Sequence, residues 1–192
     1  MTERVRPILF AAPMVRAIIS GAKTQTRRVM MSIGAGSRMP AANPSRTATD
    51  GRWWTHPNGW ERCPYGVPGD RLWVRETFAE FPLPGDFVYR ADHDERFPAE
   101  LTWRPSIHMP RRASRLTLAV TGVRVERLQE ISEHDARAEG IQPLQMDCGS
   151  ALPRFEGLWE SINGKRPRCS WSDNPWVWVI DFSSARGERT LP

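Results

Sequence analysis

One lysine stands out in this sequence because almost every other basic residue is an arginine. Of the 27 basic residues, only Lys23 and Lys165 are lysines. Arginine does not give up its proton, whereas a lysine whose pKa is lowered by burial and nearby cations can act as a base. Arg27 and Arg28 lie close enough in sequence to supply those cations. Lys23 is therefore a candidate base. Alternatively, it stays charged and pairs with Glu139 or a phosphate.

A second group of residues suits contact with nucleic acid. Residues 101–119 contain four arginines and no acidic residue. The segment mixes these arginines with a tryptophan and a histidine, as phosphate contact and base stacking require. The candidate binding residues are Trp103, Arg104, His108, Arg111, Arg112 and Arg115. Arginines beside a strand also protect a sheet edge from aggregation, and that alternative stays open.

The charge of the chain is unevenly distributed. The net charge is +5 and the pI about 9.7. Residues 1–47 hold eight basic residues and one acidic residue, whereas 48–100 and 120–192 are each net acidic. Such segregation indicates a face for a polyanionic partner, and we expect RNA rather than DNA.

Composition excludes several classes of protein. Cys63, Cys148 and Cys169 are too few and too scattered for a disulfide framework. His56 and Cys63 are the nearest approach to a zinc pair, but no CxxC or HExxH spacing supports one, so we expect no metal and no cofactor. Without a long apolar run or a signal-peptide core, the chain is expected to be cytoplasmic, with no membrane partner.

The elements that position Lys23 are predicted from pattern. Pro13 to Ser20 form a short amphipathic helix, and Gly21 ends it in the left-handed conformation. Residues 23–29 then leave the helix as a strand. Residues 31–60 are rich in Ser, Ala, Gly, Pro and Asn, and are predicted to be a long loop or insertion that is mobile without a ligand.

The remainder of the chain predicts further strands and two helices. Gly122 lies where the apolar alternation changes phase, which indicates a β-bulge. Ser132 and Asp135 form a capping box for a helix that Gly140 ends. The other predicted elements are strands at 72–78, 87–91 and 176–182, the last one central, and a helix around 155–162 that Asn163-Gly164 ends. We predict one α+β domain over residues 1–192, built on a barrel-like sheet.

The segment Gly21-Ala-Lys23-Thr-Gln-Thr26-Arg-Arg28 resembles the ASCH signature G-x-K-x-x-E-x-R, with Thr26 in the place of Glu. A preceding helix, a Gly-Asp turn before a Leu-Trp-Val strand and an apolar final strand also fit. The chain is thus similar to small prophage-borne ASCH proteins over most of its length, except the loop at 31–60. This resemblance implies a PUA-like fold, a small β-barrel with flanking helices.

The departure at Thr26 resembles one particular branch of the ASCH family. The bacterial amidohydrolase that deacylates N4-acetylcytidine also carries Thr there, and is thought to use a Lys, this Thr and a Glu on a later helix. The resemblance assigns these roles to Lys23, Thr26 and Glu139. Residues three apart on a regular strand face opposite ways, so Lys23 and Thr26 converge only if the backbone turns between them.

Two functions follow. The first is a metal-free amidohydrolase of an N4-acylated cytosine nucleoside, with Lys23 as the base, Thr26 as the nucleophile and Glu139 as the proton donor. Arg27 and Arg28 would tune the base or bind the substrate. The second is a non-catalytic module that binds RNA or a modified base through its arginines. Some ASCH proteins have been proposed to cleave RNA, which would combine both.

Overall fold

The computed structural model describes residues 3–30, 52–56, 59–93, 101–142 and 149–184. Within these ranges the chain forms nine strands and three α-helices. The strands are β1 (Val5–Leu9), β2 (Gln25–Val29), β3 (Arg52–His56), β4 (Gly59–Arg62), β5 (Arg71–Arg75), β6 (Phe78–Glu80), β7 (Phe87–Tyr89), β8 (Thr117–Arg127) and β9 (Trp176–Ser184). The helices are α1 (Ala12–Ile19), α2 (Glu133–Ala138) and α3 (Leu152–Asn163).

Five strands form one sheet in the order β1-β5-β8-β9-β2. β1 runs parallel to β5, and the other neighbouring strands are antiparallel. β3 with β4 and β6 with β7 form two separate two-stranded sheets. The α+β class is therefore confirmed. The predicted barrel is not seen among the described residues, because β1 and β2 each have a single partner in this sheet.

β9 lies between β8 and β2, as its apolar sequence predicted. Alternate side chains of a strand face opposite sides of its sheet. Trp178 and Ile180 accordingly join the core cluster that contains α1 residues, whereas Val177 and Val179 join the cluster that contains α3 residues. The sheet is thus covered by α1 on one face and by α2 and α3 on the other.

Two local predictions are confirmed by the backbone. The register of β8 against β9 shifts between Val120 and Gly122, which is the expected bulge. Gly21 ends α1 at a φ of 79°, in the left-handed region where only glycine is free of strain. α1 begins one residue before Pro13.

Several predicted boundaries were wrong. β2 begins at Gln25 instead of Lys23, because Lys23 pairs with Glu139 in an isolated bridge. The strand predicted at 72–78 is divided into β5 and β6, and the strand predicted at 87–91 ends at Tyr89. The end of the predicted loop at 31–60 contains β3 and the start of β4. Residues 31–51, on which the predicted mobility mainly falls, lie outside the described residues.

Candidate active site

The backbone brings the N-terminal motif to the end of α2. After Gly21 turns the chain, the Lys23 amide donates to the Ala17 carbonyl oxygen at 2.9 Å. The Thr24 amide donates to the Ala138 carbonyl oxygen at 2.8 Å, and Lys23 pairs with Glu139 as an antiparallel bridge. Residues 116 positions apart in the chain are therefore neighbours here.

α2 places Glu139 at the site, and both ends of this helix are defined by capping residues. The Ser132 hydroxyl accepts a hydrogen bond from the Asp135 amide at 3.1 Å, so the predicted capping box is confirmed. Glu139 is the C-terminal capping residue, and Gly140 follows with a φ of 85°. A carboxylate at this end opposes the helix dipole. The Lys23 ammonium offsets that cost, because it lies against the same carboxylate.

Lys23 is buried, with 2% of the residue exposed. An ammonium group has three donors. Lys23 Nζ donates to the Gln25 carbonyl oxygen at 2.8 Å, to the Glu139 carbonyl oxygen at 2.9 Å and to Glu139 Oε2 at 2.6 Å. Burial lowers the pKa of Lys23, and Arg28 and Arg27 lower it further, whereas Glu139 acts in the opposite direction. Lys23 is thus a desolvated lysine held by one carboxylate.

Thr26 is also buried, with 2% exposed, on β2. No hydrogen bond joins Lys23 to Thr26 in the described part of the chain. The donors of Lys23 are directed at Gln25 and Glu139 instead. The structure therefore brings Lys23 to Glu139, and it links Thr26 to them through the cavity described next.

A small cavity lies where β2, α1 and α3 meet. Its volume is about 30 Å³. The residues around it are Met14, Thr26, Arg27, Arg28, Glu139, Phe155, Leu158, Trp159, Ile162 and Asn163. Thr26 and Glu139 therefore share one cavity, while Lys23 lies behind Glu139 with its side chain fully buried.

The second oxygen of the Glu139 carboxylate is buried. Among the residues that the structure describes, Glu139 Oε1 has no hydrogen-bond partner. Its charged neighbour is Arg27 Nη1 at 3.7 Å, an ion-pair distance that is too long for a hydrogen bond. A buried acceptor without a donor is costly, so this oxygen is suited to receive an N–H or O–H from a ligand.

Arg27 belongs to a buried charge network and also lines the cavity, so its role in substrate binding stays a prediction. Its guanidinium is fully buried and lies 3.1 Å from Glu126 Oε2 and 3.3 Å from Asp135 Oδ2. Nη1 also donates to Gln25 Oε1 at 2.5 Å. These partners occupy both terminal nitrogens, whereas Nε is buried and has no hydrogen-bond partner among the described residues.

Arg28 remains a candidate for contact with a substrate. Its Nη2 donates to the Leu9 carbonyl oxygen at 2.7 Å, and its Cζ lies 5.2 Å from the centre of the Phe10 ring. The residue is only half-buried, and it lines the cavity beside Thr26. These contacts fix one end of the guanidinium near the candidate nucleophile.

The predicted binding role of Arg115 is not supported by its contacts. Nε and Nη2 donate to the two carboxylate oxygens of Glu76 at 2.9 and 3.0 Å, and Nη1 donates to Asp92 Oδ2. The guanidinium also stacks on Tyr89 at 3.9 Å. A two-pronged pair with a buried carboxylate neutralises the arginine and ties it to the fold.

The other predicted binding residues lie at or near the surface. Arg112 is 72% exposed in its side chain, with Glu80 at 3.6 Å. Arg111 lies over the Trp73 ring at 5.5 Å, and Arg90 lies over Trp103 at a similar distance. Arg104 and His108 are exposed. All four arginines of this segment are exposed, but Arg115 is tied to Glu76 and Asp92. The arginines left as candidates for contact with a partner are therefore Arg104, Arg111 and Arg112.

A larger cavity, of about 470 Å³, lies elsewhere, at the start of α1. Its described lining, which includes Arg16, Arg90 and His93, contains none of Lys23, Thr26 and Glu139. Among the residues that the structure describes, no cluster of His, Cys, Asp and Glu suits a metal ion. No helix in those ranges is long and apolar enough to cross a membrane.

The sequence did not single out the network around Arg27. Gln25 Nε2 donates to Asp181 Oδ1 at 2.7 Å, and Arg124 Nη2 donates to Asp135 Oδ1 at 3.0 Å. A signal for it exists in the alternation of polar residues: Gln25 with Arg27 on β2, and Arg124 with Glu126 on β8. The apolar residues of α3 that line the cavity carried no signal beyond that of an ordinary core helix.

No family model matches the chain, and no curated protein matches it. Among solved structures, it is similar to protein EF3133 from Enterococcus faecalis V583, which carries the family name DUF984. That likeness has a TM-score of 0.44 at 10% sequence identity, over 100% of this chain and 88% of the other. The comparisons therefore assign no family. Fold and site define an α+β protein with a buried Lys–Glu pair at a sheet edge.

Proposed function

We propose that this chain is a metal-free amidohydrolase that removes the acyl group from an N4-acylated cytosine nucleoside or a related modified base. The observation that carries the proposal is the arrangement of Glu139. Lys23 holds Oε2 at 2.6 Å, while Oε1 is buried without a hydrogen-bond partner in the described ranges. Thr26, a potential nucleophile, lines the same cavity as this carboxylate.

The proposed reaction uses these groups in two steps. Thr26 Oγ1 attacks the acyl carbon, the carbon–nitrogen bond breaks, and Glu139 transfers the hydroxyl proton of Thr26 to the leaving amine nitrogen. Water then attacks the resulting threonine ester, releases the carboxylic acid and restores the hydroxyl. Arg28 donates to the acyl oxygen and stabilises the charge that develops there.

Lys23 takes a different role in this proposal from a direct base. Its three donors are occupied by Gln25 and Glu139, so proton transfer from Thr26 is assigned to Glu139. The short contact between Nζ and Oε2 lets one proton move between lysine and carboxylate. Because burial lowers the pKa of Lys23, that movement costs less than it would for an exposed lysine.

The family and the compartment belong to the same proposal. The motif from Gly21 to Arg28 supports an ASCH-type protein with a PUA-like barrel. Cys63 and Cys169 are buried and form no disulfide among the described residues, which suits a reducing compartment such as the cytoplasm.

The test is to incubate the pure protein with N4-acetylcytidine and to follow the release of cytidine. We expect turnover by the wild type. Thr26→Val removes the hydroxyl at nearly constant volume and should abolish it. Glu139→Gln should lower kcat/KM by about 10²–10⁴-fold, since it removes the proton carrier. Lys23→Arg should also abolish turnover, because guanidinium keeps its proton and its planar fork cannot reproduce the contacts of Nζ.

The chain offers matched controls for these substitutions. Thr24→Val changes the exposed threonine two residues before Thr26, and Lys165→Arg changes the exposed lysine. Both should keep wild-type rates. Thermal melting of each variant separates loss of chemistry from loss of fold. A wild type that releases no cytidine refutes the function, and an active Thr26→Val variant refutes the nucleophile.

A second function is favoured by a separate observation. Arg104, Arg111 and Arg112 reach the surface within one short segment, and Arg111 lies over Trp73 at 5.5 Å. Exposed arginines beside an aromatic ring suit RNA, whether the protein only binds it, cleaves it or acts on a base within it. Binding of single-stranded RNA by the catalytically silent Thr26→Val variant distinguishes this function from the first.

A further inference from the structure

The cavity beside Thr26 has walls of two kinds. One part is polar and contains the groups assigned to the reaction, namely Thr26, Arg28 and Glu139. The other part is apolar and consists of Met14 from α1 together with Phe155, Leu158, Trp159 and Ile162 from α3. A reacting amide has the same division, because its carbonyl and nitrogen are polar and its alkyl substituent is not.

The size of the cavity limits what enters it. A volume of about 30 Å³ holds one or two groups of the size of a water molecule or a methyl group. A pyrimidine ring does not fit in this space. Only the acyl end of an N-acylated base can therefore enter, and the base and sugar remain at the mouth.

We propose that the apolar wall is an acyl-binding subsite that selects acetyl-sized groups, with Leu158 and Ile162 as the residues that set the limit. This inference rests on the proposed function and names the acyl group that it takes. An acetyl methyl group occupies the available space, whereas a longer chain meets the side chains of α3. Discrimination of this kind, by a filled apolar pocket, amounts to about 10–200-fold per methylene group.

Leu158 and Ile162 are chosen because the other apolar residues that α3 contributes to the wall are fixed in the core. Phe155 and Trp159 are 3% and 5% exposed, and Trp159 Nε1 donates to the Cys169 carbonyl oxygen at 2.8 Å. Ile162 is 50% exposed, and Leu158 is half-buried one helical turn earlier. Shortening either residue opens the cavity towards solvent and leaves the packing of α3 against the sheet intact.

The experiment compares kcat/KM for N4-acetyl-, N4-butyryl- and N4-hexanoylcytidine. We expect the wild type to prefer acetyl over hexanoyl by at least about 10-fold. Ile162→Ala and Leu158→Ala should each raise the hexanoyl-to-acetyl ratio by about 10-fold or more. Leu152→Ala is the matched control. Leu152 also belongs to α3 and packs against the core cluster that contains Phe155 and Trp159, but it does not line the cavity. The ratio for this variant should equal that of the wild type.

Each contrary outcome separates the subsite from the function. If the wild type cleaves acetylcytidine but the ratio is unchanged in both variants, the acyl subsite is wrong and the amidohydrolase stands. Equal rates for all three substrates in the wild type would likewise refute the subsite alone. If none of the substrates is cleaved, both the function and the subsite are refuted. Should Leu158→Ala fail to fold, Ile162→Ala decides, since half of Ile162 is already exposed.

Discussion

The Asp135 carboxylate stabilises the candidate site through hydrogen bonds to the residues that surround it. It accepts hydrogen bonds from Ser132, from Gln25 Nε2 at 3.1 Å and from Arg124 Nη2 at 3.0 Å. Burial raises the pKa of Asp135, but the hydrogen bonds of Ser132 and Gln25 and the charge of Arg27 outweigh it. The pKa is lowered to about 2. Asp135 therefore favours the folded state only while it is ionised.

From the lowered pKa of Asp135 we predict that the protein loses stability in acid. A lowered pKa stabilises the fold above the unfolded value of about 3.8, and that contribution is lost as the pH falls towards 2. Asp135→Asn should be less stable than the wild type at pH 7, by about 1–3 kcal/mol, and the difference should shrink between pH 4 and pH 2. Urea denaturation at several pH values measures it.

The control for this prediction is Asp86→Asn, at an exposed turn between β6 and β7. The free energy of unfolding of this variant should equal that of the wild type at every pH. A stability difference for Asp135→Asn that stays constant from pH 7 to pH 2 would contradict the role of its ionisation.

Sequence identified Lys23 because a rare lysine among arginines is informative, and the structure gives the reason. A compact ammonium satisfies three acceptors at 2.6–2.9 Å in a buried position. Sequence identified Asp135 only as a capping residue of α2 and did not identify Arg124, because their other partners come from β2, β8 and β9. Sequence also did not reveal the carboxylate partners of Arg27 and Arg115, since composition cannot show which arginines meet carboxylates.

At the scale of elements, the junction between α2 and β2 depends on one glycine. Gly140 follows Glu139 with a φ of 85°. A Cβ at this position would lie 2.9 Å from Ala17 Cβ and 3.0 Å from Lys23 Cβ. The absence of a side chain thus lets α1 and the Lys23 segment approach the end of α2.

Gly140→Ala should therefore lower the free energy of unfolding more than Gly21→Ala does. Both glycines have left-handed backbones, at 85° and 79°, so alanine strains each by about 1–2 kcal/mol. A Cβ at Gly21 meets no atom of the described residues within 4 Å, whereas at Gly140 it clashes, which should cost about 1–3 kcal/mol more. Urea denaturation measures both. Equal losses would show that the contact at Gly140 is unimportant.

Patterns of neighbouring residues predicted where helices, strands and bulges occur better than they predicted which strands pair. The capping box at Ser132 and the bulge at Gly122 depend on neighbouring residues and were confirmed. The strand predicted at 72–78 ends at Arg75 because Glu76 turns inward to pair with Arg115. The barrel predicted from sequence is not seen among the described residues. Sheet closure depends on contacts between distant segments, which periodicity does not encode.

At the scale of the whole molecule, only some arginines are available to bind a polyanion, although positive charge is concentrated in parts of the chain. Arg115 is paired with Glu76 and Asp92, whereas Arg111 and Arg112 have no hydrogen-bonded carboxylate in the described ranges. Arg112 approaches Glu80 only at 3.6 Å. The proposed binding face is thus narrower than the segment 103–115.

RNA affinity should reflect this difference. Each phosphate contact with a single strand contributes about 0.7 to the slope of log affinity against log salt. Arg111→Ala with Arg112→Ala should lower that slope by about 1.4. Arg115→Ala should leave the slope unchanged and lower the melting temperature. Fluorescence anisotropy with a labelled RNA measures the slope. Undetectable binding at low salt, or a slope lowered by Arg115→Ala, would contradict the face.

The position of β9 has a consequence for synthesis of the protein. In the sheet of the described residues, β2 is joined to the other strands only through β9. β2 ends at Val29 and β9 ends at Ser184, so the ribosome must add about 150 residues between them. At about 5–20 residues per second, this takes roughly 8–30 s. Thr26 is therefore made early and waits, without its neighbouring strand, until the last described strand has been translated.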